Sequence, residues 1–335
     1  MSMGFGLLSA QIRPGDPPDW EGAYAEVLAL TEHAERLGMD SVWTTEHHFV
    51  DDGYMPSLLV TSAAMAARTS RIEIGTGVVL APLHHPLRLA EDAATVQLLS
   101  GGRLALGLGL GWSEPEYAAL GVPMNLRGRA MDEILEILPK AWSGEPFPHD
   151  GRVYSYPELA VRPTPHTPIP VLIGGGAEPA IRRAARLADG LFSNAPVDGF
   201  LQQVAWVEDE MEKVGRDPTG FRFIHYSIIV PADDWDDLRH DVWAMSWKYS
   251  DMAASANRAG RPPTPPPLSP EIGAMLRERS VITGTAAEVV AKLTDIRRRA
   301  GVPVDFVARS YFSTLAPDRQ RDLMEWLAKE IGPHL

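Results

Sequence analysis

The sequence contains no cysteine and no long hydrophobic run, and these two absences exclude several classes of protein. Without cysteine, the 335-residue chain cannot contain a disulfide, a cysteine zinc site, an iron–sulfur cluster or a catalytic thiol. No stretch of about 18 apolar residues is present to cross a membrane. The N-terminus also lacks the basic and apolar regions of a secretory signal. We therefore expect a cytoplasmic protein that does not bind membranes.

Basic residues are fewer than acidic ones. The chain has 31 lysines and arginines against 44 aspartates and glutamates, which gives a formal net charge of −13. A protein that binds the phosphate backbone of a nucleic acid needs a basic surface, so we expect no nucleic-acid partner. The apolar fraction of 45% is typical of a globular protein, and the length allows one large barrel or two mid-sized domains.

Hydrophobic periodicity predicts eight strands, each followed by at least one helix. The strands are predicted at 4–10, 40–44, 72–78, 104–108, 170–173, 190–193, 221–230 and 304–310. The helices are predicted at 20–37, 57–67, 87–99, 128–142, 177–187, 200–214, 285–299 and 317–331. Alternating strands and helices imply a parallel sheet, so we predict an α/β fold, a (β/α)₈ TIM barrel, as a single domain over 1–335. A doubly wound open sheet is the alternative.

Two insertions interrupt this repeat, at 142–168 after the fourth strand and at 231–280 after the seventh. The second contains Trp235, Trp243 and Trp247 and a proline run over 261–270 that excludes a helix. Because it follows a barrel strand, its base lies at the catalytic rim. We predict that it is a lid that contributes substrate contacts; padding or a dimer contact is the alternative.

The chemistry of a TIM barrel lies where its strands end, and four strand ends here carry unusual residues. After the second strand come His47 and His48 within Thr44–Phe49. Neighbouring residues of an extended strand point to opposite faces, so this pair cannot easily bind one ion, and we predict no metal site. For His47 alone, a hydrogen-bonded histidine at the rim is the alternative to a catalytic one.

Glycine-rich turns follow the fourth and fifth strands. Gly174–Gly176 lead into a predicted helix that begins at Ala177, an arrangement in which backbone N–H groups can bind a phosphate. Arg127 and Arg129 open the preceding helix and are candidate partners for that phosphate. A tight turn and a solvated helix face are the alternatives. The turn at 107–111 has the spacing G-x-G-x-G, which is not the dinucleotide fingerprint.

With these motifs, the chain resembles the bacterial luciferase-like monooxygenase family. The motifs are Trp43–Phe49 (WTTEHHF), Ile74–Val78 (IGTGV) with Pro82 and the pair at 85–86, Arg88–Asp92 (RLAED) and the pair at 102–103. The first is specific and the others support it. The resemblance runs over about 40–136, 171–192 and 284–312, and it implies the same (β/α)₈ barrel.

The resemblance also implies roles for individual residues. His47 would stand beside the reactive edge of a flavin, and a non-proline cis peptide between Gly77 and Val78 would pack against the flavin ring. The residues implied at the cofactor phosphate are Arg129, Gly175, Gly176 and Ala177. The residues expected on the substrate side are His48, Trp112 and Asn194. The chain departs from luciferase itself at Gly109 and Leu110, where luciferase has a reactive cysteine and an arginine.

The activity implied is that of a two-component flavin-dependent monooxygenase. A separate flavin reductase would supply reduced FMN, which reacts with O₂ so that a small organic substrate is oxygenated, with His47 as acid or base. The segment 107–112, with Glu116 and the residues at 121–123, also resembles relatives that use the deazaflavin F420 for hydride transfer, while the E-H-H-F motif favours FMN. A non-catalytic flavin-binding protein is a third reading, against which the retained His47 argues. The family is often homodimeric, and we expect a homodimer.

Overall fold

Eight parallel strands close into a barrel in the computed structural model, which describes residues 2–13, 15–254 and 264–335. These eight are among the twelve strands of the described residues, which are β1 (Met3–Leu8), β2 (Ser41–Thr44), β3 (Glu73–Thr76), β4 (Val79–Leu80), β5 (Leu104–Gly109), β6 (Phe147–Asp150), β7 (Ser155–Leu159), β8 (Val171–Gly174), β9 (Gly190–Ser193), β10 (Arg222–Pro231), β11 (Val281–Gly284) and β12 (Val304–Arg309). Around the barrel the order is β12-β1-β2-β3-β5-β8-β9-β10, and β10 pairs with β12 to close it. The prediction of a (β/α)₈ barrel is confirmed.

Helices surround the barrel and follow its strands. They are α1 (Trp20–Leu37), α2 (Leu58–Arg68), α3 (Pro86–Ser100), α4 (Glu114–Ala119), α5 (Arg127–Ser143), α6 (Glu178–Leu187), α7 (Val197–Val214), α8 (Trp235–Ala254), α9 (Pro270–Arg279), α10 (Ala286–Ala300) and α11 (Pro317–Trp326). The Thr285–Glu288 capping box opens α10, as its sequence predicts. None of the described helices combines the length and apolar character needed to cross a bilayer.

The barrel interior is filled by side chains rather than open. Trp43 stacks on Phe192 with ring centroids 4.6 Å apart, and Phe192 stacks on Tyr226 at 4.5 Å. Gly75 is required beside this stack, because a Cβ there would lie 2.2 Å from the Trp43 ring. The three rings form the floor of the barrel mouth at the C-terminal ends of the strands.

The predicted third strand is divided in the structure. β3 ends at Thr76, a cis peptide joins Gly77 to Val78, and β4 then pairs with β5. The glycines of the neighbouring strand ends make room for Val78. A Cβ on Gly109 would lie 2.4 Å from a Val78 methyl, and one on Gly174 would lie 2.7 Å from the other methyl. Close packing around Val78 therefore explains these two glycines.

The two insertions have different structures. Residues 142–168 contain the antiparallel hairpin β6–β7, which Glu133 of α5 ties down by accepting hydrogen bonds from the backbone N–H groups of 152, 153 and 154. Residues 231–280 contain α8 and α9, neither of which the sequence pattern predicted. Within the proline run, 261–263 lie outside the described residues and Pro270 is the first residue of α9, where a proline is tolerated.

Candidate active site

The loop after β2 brings His47 to the barrel mouth. His47 forms an isolated antiparallel bridge with Met55, so the loop folds back on itself. The backbone N–H of Ala10, beyond β1, donates to the carbonyl of Tyr54 at 2.9 Å. Phe49 and Tyr54 adopt positive φ angles of 57° and 36°, which are uncommon for side chains of this size. This loop is thus held in a specific shape by its neighbours.

Glu116 orients the His47 imidazole. Its Oε1 lies 3.1 Å from His47 Nδ1 and accepts a 2.8 Å hydrogen bond from the backbone N–H of His48. Both side chains are buried, at 5% exposure for His47 and 2% for Glu116, and Glu116 Oε2 is buried without a partner in the described chain. With a proton on Nδ1 facing the carboxylate, Nε2 is left to exchange a proton with a ligand.

Aromatic rings enclose His47 on its other sides. It makes edge contacts with Tyr54 at 4.8 Å, with Trp112 at 5.5 Å and with Tyr249 of α8 at 5.7 Å between centroids. The hydroxyls of Tyr54 and Tyr249 are hydrogen-bonded at 2.6 Å. Burial and the neighbouring Tyr249 raise the pKa of Tyr54 well above its usual value. Tyr54 is therefore neutral and can donate a hydrogen bond.

His48 points away from His47 towards a buried carboxylate. Its Nε2 lies 2.8 Å from Glu46 Oε1, which also lies 3.1 Å from His84 Nε2, while Glu46 Oε2 accepts from the backbone N–H of Leu80 at 2.8 Å. Burial alone would raise the pKa of Glu46, but the hydrogen bonds from the two histidines outweigh it and the pKa is lowered. This cluster connects the loop after β2 to the loop after β4.

A cavity of about 170 Å³ lies next to Tyr54 and Tyr249, the two tyrosines that contact His47, and is walled by α8 and by the loops after β1, β2 and β12. Aromatic and charged side chains line it together: Tyr54, Trp247, Tyr249 and Tyr311, the cations Arg13, Lys248 and Arg309, and the carboxylates Asp16, Asp51, Asp52 and Asp241. An apolar cavity of roughly 150 Å³ holds one benzene ring, so the volume suits a small organic molecule.

Ion pairs fasten α8 over this cavity. Lys248 Nζ lies 2.5 Å from Asp51 and 3.2 Å from Asp52, both in the loop after β2. At the other end of the described helix, Asp241 accepts a hydrogen bond from Thr314. The first half of the predicted lid therefore contacts the loop that carries His47.

The glycine-rich turn at 174–177 is exposed and ends at the N-terminus of α6. Ala177 provides no side-chain cap, so the amides of this terminus are available to an anion. Glu178 in the first turn is paired with Arg182, at 2.7 Å, which limits its repulsion of an anion. A phosphate group therefore fits this turn.

The two candidate arginines open α5 in different ways. Arg127 donates to the carbonyl of Met124 at 3.0 Å, whereas Arg129 is exposed. Arg183 of α6 donates to the carbonyl of Gly128 at 3.2 Å, so the start of α5 lies against α6. In the described structure no contact joins Arg129 to the turn, so its place at the phosphate stays a prediction.

The remaining predicted site residues are spread over the rim. Trp112 is 41% exposed and covers one side of His47. Asn194 follows β9 and lines a second cavity of about 600 Å³, which shares Arg309 with the first. In the described part of the chain, no group of three or more His, Asp or Glu side chains is arranged to hold a metal ion.

Sequence reasoning did not assign three residues that the structure brings to the mouth. Glu116 was noted only for its likeness to F420-dependent relatives, and its pairing with His47 spans 69 residues. Tyr249 lies in an unpredicted helix, and Arg309 ends a predicted strand. For Arg309, the position of a charged residue at a strand end was the available signal.

Comparisons with known proteins agree with the motifs. A family model described as luciferase-like monooxygenase matches residues 3–303. The chain is 31% identical over 165 residues to the flavin-dependent trigonelline monooxygenase, oxygenase component, of Acinetobacter baylyi. That match covers 49% of this chain and 46% of the relative, so it spans less than half of the relative's length.

Solved structures resemble the chain over its whole length. Monooxygenase RslO1 from Streptomyces bottropensis superposes with a TM-score of 0.83 at 25% identity, over 100% of this chain and 99% of that one. An F420-dependent secondary alcohol dehydrogenase in complex with an F420–acetone adduct superposes with a TM-score of 0.76 at 17% identity, over 99% and 98%, and shows the fold alone. The chain belongs to the luciferase-like monooxygenase family, as the motif resemblance implied.

Proposed function

We propose that this protein is the oxygenase component of a two-component, FMN-dependent monooxygenase that acts on a small organic substrate. The observation that carries the proposal is the buried His47–Glu116 pair at the barrel mouth, in which Glu116 faces Nδ1, together with a small cavity next to the Tyr54 and Tyr249 rings that contact His47. The relative named as an oxygenase component supports a reductase partner for this chain.

The residues present fit a flavin or deazaflavin with a phosphate-bearing tail. Gly175, Gly176 and Ala177 would hold the phosphate through the α6 N-terminus, with Arg129 as its counter-charge. Gly77 and Val78 would lie against the ring, above the aromatic floor. When bound and reduced, FMN supplies the electrons that activate O₂ for transfer to the substrate.

The protein's own contribution is proton transfer and exclusion of water. Glu116 holds the His47 ring in one orientation, so that Nε2 exchanges the proton that the reaction takes up or releases. Tyr54 and Trp112 surround the imidazole and limit its contact with solvent. His48 and Asn194 are placed to shape the substrate side of the mouth from further out.

An F420-dependent oxidoreductase is the second candidate, and Glu116 favours it. Its Oε2, which has no hydrogen-bond partner among the described residues, can accept a hydrogen bond from a ligand in the mouth. The fold likeness to an F420-dependent dehydrogenase is compatible with it. A non-catalytic flavin-binding protein is the third candidate.

Titration of the purified protein with reduced FMN and with F420 tests the proposal. Tight binding of reduced FMN, with O₂ consumption that depends on it, is the expected result. Preference for F420, without O₂ consumption, would identify the second candidate, and cofactor binding without turnover of any substrate would identify the third. The homodimer and the cytoplasmic location stay predictions; sedimentation velocity measures the first.

A further inference from the structure

Arg309 projects into the barrel mouth from the last position of β12. Val307, two residues earlier, belongs to the cluster of side chains that fills the barrel interior. Because alternate residues of a strand share a face, Arg309 lies on the same face one layer higher, towards the mouth. Its partly buried side chain lines both of the cavities described above.

The surroundings of Arg309 are aromatic. Its guanidinium carbon lies 4.6 Å from the centroid of the Tyr249 ring, and Tyr54 and Tyr226 are its other close polar neighbours. Among the described residues, no carboxylate forms an ion pair with it. Arg222, by contrast, is bound by both oxygens of Glu73. Tyr249 is also a side-chain hydrogen-bond partner of Arg309, so the other N–H donors of the five are the ones that can bind a ligand.

The position of Arg309 relative to His47 indicates where an anion bound by Arg309 would lie. Tyr249 contacts both Arg309 and His47, at 4.6 Å and 5.7 Å, so one ring's width separates the cation from the catalytic imidazole. The glycine-rich turn that suits the cofactor phosphate follows β8, and β9 and β10 lie between β8 and β12. Arg309 therefore stands apart from the phosphate turn, on the side of the small cavity.

We propose that Arg309 binds the carboxylate of the substrate, and that the substrate is a small organic acid with a planar ring. The fork of a guanidinium matches the two oxygens of a carboxylate. Tyr54, Tyr249 and Trp247 line the 170 Å³ cavity, which has room for one ring. The statement that this ligand is a substrate rests on the proposed function. The statement that Arg309 binds its carboxylate does not.

The test compares benzoate with benzamide, two probes of nearly equal shape that differ in charge. Isothermal titration calorimetry of the full chain without flavin, at fixed ionic strength, measures both affinities. We expect benzoate to bind about 10-fold or more tightly than benzamide, because charge-assisted hydrogen bonds exceed neutral ones. Arg309→Met should abolish this preference, and Arg309→Lys should keep part of it.

Arg279→Met is the matched control, because Arg279 lines only the second of the two cavities. It should leave the preference for benzoate unchanged; an equal loss in this variant would mean general attraction of anions and would overturn the proposal. So would a parent protein that binds benzoate no better than benzamide, or not measurably. The comparison of benzoate with benzamide in the parent needs no variant, so it still tests the proposal if Arg309→Met fails to fold.

A second arm separates the substrate carboxylate from the cofactor phosphate. The ratio of FMN to riboflavin affinity should be the same in the parent and in Arg309→Met. Loss of that ratio would assign Arg309 to the cofactor phosphate and overturn the proposal. If neither flavin binds while the parent still binds benzoate more tightly than benzamide, the proposed function fails and the carboxylate site stands.

Discussion

At the scale of single residues, the paired side chains of the mouth define separate tasks. His47 is held by Glu116 and His48 by Glu46, so two adjacent histidines have different carboxylate partners. Their adjacency predicted that they could not easily bind one metal ion, and in the structure the two side chains lie against different carboxylates. Of these two histidines, only His47 makes ring contacts with Tyr54, Trp112 and Tyr249 in the described structure.

Replacing His47 tests its role as acid or base. We expect His47→Ala to lower turnover by about 10²–10⁴-fold, because proton transfer by a positioned side chain contributes that much. Flavin affinity should stay within a few-fold of the parent, since the phosphate turn is untouched. Steady-state turnover and flavin titration measure the two effects.

Two further variants make this result specific. Glu116→Gln should lower turnover less than His47→Ala, because an amide oxygen can still accept from Nδ1. His48→Ala, the neighbouring control, should mainly change substrate preference. A His47→Ala enzyme with the parent's turnover would contradict the catalytic role.

The His48–Glu46 pair predicts a pH dependence of stability. Burial alone would lower the pKa of His48, but the hydrogen bond to Glu46 outweighs it, so the pKa is raised above 6.5. A histidine whose folded pKa is raised contributes its full stabilisation below the unfolded pKa and loses it as pH rises through the folded pKa. Glu46, with a lowered pKa, stays ionised throughout this range.

His48→Gln removes the titrating group at this site. The parent should exceed it in free energy of unfolding by more at about pH 5.5 than at about pH 9, since the charged imidazole is lost at high pH. Urea unfolding at the two pH values measures this difference. A difference that grows with pH would contradict the assigned pair.

Arg129 predicts a difference between two flavins. If it binds the phosphate, FMN should bind more tightly than riboflavin by about 1.5–3 kcal/mol, and Arg129→Ala should narrow that gap. Arg127→Ala is the matched control in the same turn, because Arg127 is bound to the Met124 carbonyl. Equal affinities for FMN and riboflavin in the parent would defeat the phosphate assignment.

At the scale of elements, the second insertion shows where sequence reasoning stopped. Its tryptophans and prolines indicated apolar mass and an extended run, yet α8 occupies Trp235–Ala254 and α9 occupies Pro270–Arg279. Directly after the insertion, β11 adds to β10. Long-range contacts define both α8 and β11. Lys248 and Asp241 fasten α8 to distant loops, and β11, which has only four residues, pairs with β10. Short strands of this kind carry too little periodic signal to be recognised alone.

The ion pairs of α8 allow a test of the prediction that the second insertion is a lid. Lys248→Met removes both pairs with the loop after β2, so α8 should cover the mouth less well and admit water. We expect more H₂O₂ released per O₂ consumed, with FMN affinity little changed. Product and peroxide assays under the same turnover conditions measure the coupling.

Lys213→Met is the control for this variant, because Lys213 forms an ion pair with Asp209 on α7, away from the mouth. It should remain as well coupled as the parent. Deleting 255–270 with a short Gly/Ser bridge extends the test to the rest of the lid, of which 255–263 lie outside the described residues. If both lid variants stay fully coupled, the insertion serves padding or assembly.

At the scale of the whole molecule, strand count and strand ends were predictable because they follow from local patterns. Eight apolar segments with helices between them predicted the barrel, and the barrel placed His47, Gly77 and Gly175 at one rim. Pairings across the mouth were not predictable, since Glu116, Tyr249 and Arg309 reach His47 or its neighbours only after the barrel has closed. Residue spacing carries no information on such contacts.

A ligand that binds only the closed barrel should stabilise the entire fold. Binding to the native state alone raises the free energy of unfolding by about 2.7 kcal/mol at a ligand concentration of 100 times Kd. Because the proposed cofactor residues lie between β3 and β4, on α5 and in the turn before α6, the barrel must be intact for them to meet. We expect FMN near that concentration to raise the Tm by a few degrees, and riboflavin at the same concentration by less. Calorimetric scans with FMN, riboflavin and F420 measure the order: a larger shift with F420 would favour the hydride-transfer candidate, and no shift with any of them would contradict a flavin or deazaflavin site.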